Sequence, residues 1–330
     1  MLSNFIISII KRKFLVPFLS YIITYIIFCS AFIFFYYDYK KSQPVNNVDQ
    51  SKIQIVASFY PLYEFSRQVG GDLAEVKNIT PAGSEPHDYE PTSKQIQDIY
   101  NSNLLVYNGA GLEAWTDKVV PELSQKNIPT LNISNHSKVL PPLSVQGSSA
   151  YEEPSDKDPH FWVNPVMAKQ ETQDIADKLS QINSSNSSKY QENAKNYIAR
   201  LENLNQKFKS KLSNCSIHSV VTSHNFLQYL GKEYNFDSIP ISGISPDSEP
   251  SVHDLAIITQ LIKSKNIKYI FTETLISPKL SQTLANETGA KTLVLNPLEG
   301  LTGDQINQGQ DYISVMEENL NNLSIAMDCK

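Results

Sequence analysis

The chain has 330 residues, 41% hydrophobic and 19% charged, enough for two domains with a core in each. Its formal charge is −6, and residues 51–330 alone carry 23 basic against 32 acidic side chains, a net charge of −9. With no basic patch, nucleic acid drops out as a partner class, and the composition is not that of a collagen-like, disordered or disulfide-dense chain. An acidic surface suits a protein that attracts cations.

The first fifty residues stand apart from the rest. Lys11, Arg12 and Lys13 precede 24 uncharged positions, residues 14–37, which end at Asp38, Lys40 and Lys41. A bilayer-crossing helix needs about 20 apolar residues, whereas the core of a signal peptide has about 7–15. The basic cluster therefore predicts a cytoplasmic N-terminus, a transmembrane anchor over 14–37 and a polar tether, with the remainder on the outer face of the plasma membrane. Phe28-Cys29 is similar to a bacterial lipoprotein signal, but that signal calls for a small residue before the cysteine. The reading adopted is an uncleaved anchor.

Beyond the tether, residues 53–58 form a β-branched run that predicts a first strand. Residues 61–69 predict a helix stopped by Gly70-Gly71. A strand over 76–80, a proline-bounded loop over 81–91 and a helix from Ser93 follow. Residues 104–107 predict a short strand, and Asn108-Gly109-Ala110-Gly111 reads as a tight turn, since a lone G-x-G is not a phosphate fingerprint. A helix over 112–123 and a strand over 130–133 lead to a loop, 141–158, rich in serine, proline and acid.

Asn164-Pro165 is a good helix start, with asparagine as N-cap and proline in the first turn; that helix runs to about Ile182. Ser188 and Gln191 make a capping-box pattern for a second helix. Its apolar positions, Tyr190, Ala194, Tyr197, Leu201, Leu204, Phe208 and Leu212, predict one long buried stripe. Alternation then restarts: strand 219–223, helix 225–232, strand 236–241, a Ser251-capped helix to Lys265, strand 269–273, helix 278–287, strand 292–295 and a closing helix 311–326. The fold class is α/β, with two lobes of parallel sheet joined by a long helix. The divisions expected are 1–50, 51–164, 165–214 and 215–330. Of three cysteines, Cys29 falls in the anchor. Cys215 and Cys329 flank the C-terminal half and, outside the cell, could pair; spacing leaves open whether their Cβ atoms meet.

Three histidines fall at strand ends or on stiff loops. His87 lies in Pro81-Ala-Gly-Ser-Glu-Pro-His-Asp-Tyr-Glu-Pro91, where prolines limit the backbone on both sides. His160 lies in Asp158-Pro-His-Phe-Trp-Val-Asn-Pro165, and His224 closes the strand Val220-Val-Thr-Ser-His224. The first two belong to one lobe and the third to the other, so they can converge in the cleft between lobes. Neutral imidazole is a favoured ligand for zinc and other first-row metals. Leu295-Asn-Pro-Leu-Glu299 offers a fourth group after the last strand; Glu299 is preferred because the Asn296 amide is a weak ligand. Glu273, also at a strand end, is either an acceptor for a ligand histidine or a solvated acid. His136, His218 and His253 are assigned to surface or helix-start positions.

These segments, together with Ser223-His224, Glu249-Pro-Ser251 and Leu295-Asn-Pro-Leu-Glu-Gly-Leu301, resemble the signature segments of the zinc- and manganese-binding solute-binding proteins of ABC importers. The resemblance runs from about Lys52 to the C-terminus. It implies two Rossmann-like lobes on a rigid backbone helix, one metal between them, and His87, His160, His224 and an acid after the final strand as ligands. It also implies an ABC permease with its ATPase as partners. A closed four-ligand shell leaves no position for a reactive water, which predicts capture rather than catalysis, and a monomeric carrier is expected. Many members have aspartate where this chain has Asn296, and others use a glutamate placed like Glu299. Zinc-importing members often carry a histidine-rich loop before the second ligand. Here residues 141–158 have no histidine and only Glu152, Glu153, Asp156 and Asp158, which read as a solvated loop.

Manganese-binding relatives tend to have a carboxylate where this chain has His224. Three imidazoles and one carboxylate suit zinc better than manganese, which prefers oxygen, so the expected cargo is zinc with manganese as the alternative. Two other readings remain. One is a zinc hydrolase with a metal-bound water and Glu299 or Glu273 as base; the other is a surface adhesin built on the same metal-bound fold.

Overall fold

The computed structural model describes residues 28–30, 33–34, 52–143 and 157–330. Residues 28–30 and 33–34 are helical, and the remainder of the expected anchor, 14–37, lies outside the described residues. Among the described residues no helix is long and apolar enough to cross a membrane. Glu152, Glu153 and Asp156 also lie outside them. Residues 51–330 form one compact unit.

That unit holds two four-stranded parallel sheets. The first contains β1 (Ile53–Ala57), β2 (Ala74–Asn78), β3 (Leu104–Tyr107) and β4 (Thr130–Asn132), in the order β2-β1-β3-β4. The second contains β5 (Ser219–Thr222), β6 (Asp237–Pro240), β7 (Tyr269–Thr272) and β8 (Lys291–Val294), in the order β6-β5-β7-β8. In each, chain order reverses direction beside the first strand, between β1 and β3 and between β5 and β7. Such switch points open a crevice at the carboxyl ends of the strands, which is where open α/β sheets bind ligands.

The helices that join the sheets are Pro165–Ile182 and Ser187–Lys211. Asn164 caps the first as expected, its side chain accepting from the Val166 N–H at 2.9 Å. All seven positions of the predicted apolar stripe on the second are buried. The largest core cluster runs from β1 through both linking helices to the closing helix Tyr312–Ala326 and so joins the two lobes, while each lobe keeps a smaller cluster of its own.

Three boundary expectations are corrected. The Ser188–Gln191 capping box does not form: a 3₁₀ turn, Ser184–Asn186, feeds a helix that already begins at Ser187. The Gln191 amide instead donates to Asp177 and Ser180 of the neighbouring helix, at 2.9 and 3.2 Å. The helix expected over 225–232 is Gln228–Tyr234, because Asn225 is held by the Gly243 carbonyl at 2.8 Å and Phe226 by that of His224 at 3.1 Å. The helix expected over 112–123 is Thr116–Gln125, since residues 108–111 form a turn with φ of 72°, 53° and 86° at Gly109, Ala110 and Gly111. A Cβ at Gly109 would meet Asn132 Oδ1 at 2.3 Å.

Cys215 and Cys329 form a disulfide and face each other in an isolated antiparallel bridge. It ties the segment entering β5 to the chain end, beside the hydrogen bonds from Ser216 to Asp328 and from Ile217 to Met327.

Candidate metal centre

Three of the four candidate ligands lie on segments that follow a strand, and the fourth opens a turn that leads into a helix. His87 is on the loop after β2, and His160 opens a 3₁₀ turn, His160–Val163, that leads into the first linking helix. His224 follows β5, and Glu299 lies five residues beyond β8. The structure brings one ligand atom of each within 4.8 Å of the others. Three of the residues are buried; His87 is partly exposed as a residue, with a side chain only 6% exposed.

The nest is tight. His160 Nε2 lies 3.1 Å from His87 Nε2 and 3.3 Å from His224 Nε2. Glu299 Oε1 lies 3.1 Å from His224 Nε2, 3.4 Å from His160 Nε2 and 3.5 Å from His87 Nε2. Zinc–ligand bonds of about 2.0–2.2 Å give tetrahedral edges of about 3.3–3.6 Å, close to these separations. Nitrogen lone pairs crowded to this degree repel one another unless a proton or a cation lies among them. Glu299 Oε2 is also buried with no hydrogen-bond partner.

Two carboxylates fix which nitrogens face inward. Asp158 Oδ1 accepts from both the backbone N–H and Nδ1 of His160, at 3.0 and 2.8 Å. Glu273 Oε1 accepts from the backbone N–H and Nδ1 of His224, at 3.3 and 2.9 Å. A histidine that donates from Nδ1 presents the lone pair of Nε2, so both rings are held in the ligating tautomer. Glu273 is therefore an acceptor for a ring, one of the two roles open to it from sequence. The expectation of a solvated Asp158 is corrected: it is fully buried, drawn in by His160 and by Gln228, whose amide donates to Oδ2 at 3.1 Å. The Asp-x-His spacing was the available signal. Glu85 holds His87 differently, both its oxygens accepting the backbone N–H at 3.1 Å.

Around Glu299, Asn296 is a shaping residue. Its Oδ1 accepts from the Leu298 N–H at 2.7 Å, while its backbone exchanges hydrogen bonds with the Asn319 amide at 2.9 and 2.7 Å. Trp162 Nε1 donates to the Pro297 carbonyl at 2.8 Å. Leu298 adopts φ 63°, a left-handed conformation costing roughly 1–2 kcal/mol for such a residue, and these bonds hold it there so that Glu299 points inward.

The electrostatics follow from burial and these partners. Burial pushes the His87 pKa down to about 4. For His224, burial also opposes charge, but the Glu273 and Glu299 carboxylates outweigh it and hold the ring well above the ordinary range. For His160, burial is outweighed by hydrogen bonds to Asp158 and Glu299, which raise it. Burial raises Glu299, yet His224 and the hydrogen-bonding rings bring it well below the usual carboxylate range. Burial and the Glu299 charge push Glu85 up to about 8. His136, His218 and His253 are exposed and stand outside the nest.

Two parallel-sheet lobes with one enclosed nest of nitrogen and oxygen donors between them are the frame of a two-lobed binding protein. Residues 55–326 match the family model described as zinc-uptake complex component A, periplasmic, and the chain belongs to this family. It is 38% identical over 281 residues to the zinc-binding lipoprotein AdcA of Streptococcus pneumoniae, covering 84% of this chain and 56% of AdcA. It is 36% identical over 281 residues to the high-affinity zinc uptake system protein ZnuA of Bacillus subtilis, covering 82% and 86%. Among solved structures, the Zn(II)-bound ZnuA-like domain of S. pneumoniae AdcA superposes with a TM-score of 0.72 at 38% identity, covering 84% of this chain and 99% of that domain. The chain thus spans little more than half the length of AdcA.

Proposed function

We propose that this chain is an extracytoplasmic substrate-binding protein, not an enzyme, that captures zinc and delivers it to the permease of an ABC importer. His87, His160 and His224 through Nε2, with Glu299 through Oε1, are the ligands of this reading. The observation that carries it is the convergence of these four atoms, all within 4.8 Å of one another, with Asp158 and Glu273 turning two rings inward. Kinship with zinc-uptake proteins supports the same cargo. Three nitrogens and one oxygen favour zinc over manganese. Four protein ligands leave no position for a reactive water, which separates a carrier from a hydrolase.

Residues 14–37 anchor the chain in the membrane and leave residues 51–330 on its outer face. Within these, 51–164 and 215–330 are the lobes and 165–214 the connector, and the protein acts as a monomer with the permease and its ATPase.

The test is calorimetric titration of metal-free residues 51–330 with zinc and with manganese, alongside His224→Ala and Glu299→Ala. One tight zinc equivalent, lost in the first variant and weakened in the second, is the expected result. Tighter manganese binding would overturn the cargo, and no binding would overturn the function.

A further inference from the structure

A second histidine–carboxylate pair joins the N-terminal lobe to the first linking helix and shares no residue with the nest. His136 follows the turn Ile133–Asn135 after β4 and has a half-exposed ring. Its Nδ1 is 3.5 Å from Oδ1 of Asp174, on the linking helix Pro165–Ile182. Asp174 is only 6% exposed, and its Oδ2 is buried without a hydrogen-bond partner. Both residues line a cavity of about 380 Å³ that also contacts Asn132, Asp177 and Lys178.

This pair is unusual for a simple surface ion pair. The carboxylate has been taken out of water, yet one oxygen is left with nothing to accept from, an arrangement that costs free energy unless something else occupies it. Gln170 satisfies only Oδ1, at 2.9 Å. The nitrogen-to-oxygen distance is close to the edge of about 3.3–3.6 Å that two ligands of one tetrahedral zinc would share.

We propose that His136 and Asp174 form a second, weaker binding site for a borderline divalent cation of the zinc, copper and nickel class. Imidazole nitrogen with one carboxylate suits that class rather than calcium or magnesium, which prefer oxygen. Two protein ligands leave the remaining positions to water, and cationic Lys178 is among the residues lining the same cavity, so the ion is held loosely and exchanges readily. The cavity gives room for those waters.

The test titrates the full chain, stripped of metal, with zinc by calorimetry and with cobalt(II) by visible absorption. Wild type should take one tight equivalent and a second weaker by roughly 100-fold or more, as expected of two ligands against four. His224→Ala should keep the weak equivalent, so the site is read independently of the tight one. His136→Ala and Asp174→Asn should each lose it while retaining the tight zinc equivalent, which also reports that they fold. A single equivalent in wild type, or a second that survives in both variants, would overturn the proposal.

Discussion

The two lobes solve one problem in two ways. Each must hold an imidazole rigid, with Nδ1 occupied and Nε2 free. The N-terminal lobe does so locally, with Asp158 two residues from His160; the C-terminal lobe uses Glu273, 49 residues from His224 and just past the end of the neighbouring strand β7. The N-terminal version depends on one tight turn, further steadied by Asn108, whose amide donates to the Pro159 carbonyl at 3.0 Å. The C-terminal version depends on the pairing of β5 with β7, so it exists only once the sheet is assembled. The same ring geometry thus rests on local backbone conformation in one lobe and on sheet topology in the other.

The largest expected effects break both sides alike. Replacing either His160 or His224 with alanine should lower zinc affinity by at least about 10³-fold, roughly 4 kcal/mol, read by competition with a chelator. A lobe whose histidine could be lost at little cost would not share the ion. Next comes the staple confined to one side. The Cys215–Cys329 disulfide, with partners 114 residues apart, closes the C-terminal lobe. Cys215→Ser should cost about 2–5 kcal/mol in urea unfolding while zinc affinity of the folded protein is retained. Affinity falling together with stability would mean that the C-terminal ring depends on the staple as well as on the sheet.

Smaller effects sharpen the comparison. Asp158→Asn and Glu273→Gln should each weaken zinc binding about 10–100-fold with the fold intact. Both should flatten the pH dependence, Glu273→Gln the more, because His224 is raised further than His160. Both His160 and His224 have raised pKa values, so protons compete with zinc for Nε2 and affinity falls as pH drops through those values. The Glu273 carboxylate is the first of the groups lifting His224, and Glu273→Gln lowers that ring's proton affinity, so its penalty should shrink toward acid pH. A penalty constant with pH would show that Glu273 only positions the ring.

Much of this architecture is legible in the residues. Strand and helix alternation is written in β-branched runs and in the Tyr190–Leu212 stripe, because burial on one face imposes a period. His87, His160, His224 and Glu299 stand out because prolines or strand ends mark their segments. Asp158 was legible only as a hint: in the sequence it ends an acidic loop, and apart from its Asp-x-His spacing only folding shows it buried beside His160. Asn296 is similar. Its identity suggests a poor ligand, while its work, bracing a left-handed Leu298, depends on Asn319 from another helix. The Ser188 capping pattern failed for the opposite reason, since a local motif yielded to a longer-range one, Gln191 being taken by Asp177 and Ser180 of the neighbouring helix.

The smallest expected effect concerns Glu171, on the linking helix that serves both lobes. It is fully buried, and neither carboxylate oxygen has a hydrogen-bond partner. Burial, with the Asp174 charge beside it, raises its pKa well above the ordinary value. A carboxyl whose folded pKa exceeds its unfolded one stabilises the fold below the unfolded value, about 4.3, and loses that contribution as pH rises. At neutral pH the unfolded chain ionises Glu171 while the folded one must keep its proton or bury a charge. Glu171→Gln removes this difference, so it should stabilise the protein at pH 7–8, by roughly 1 kcal/mol once the burial of an unpartnered amide is set against the gain. The gain should vanish near pH 4. Denaturant unfolding of both proteins at the two pH values checks this. A destabilised variant at pH 7 would mean that the Glu171 carboxylate is charged and held by partners that accept its charge, and that the linking helix depends on them.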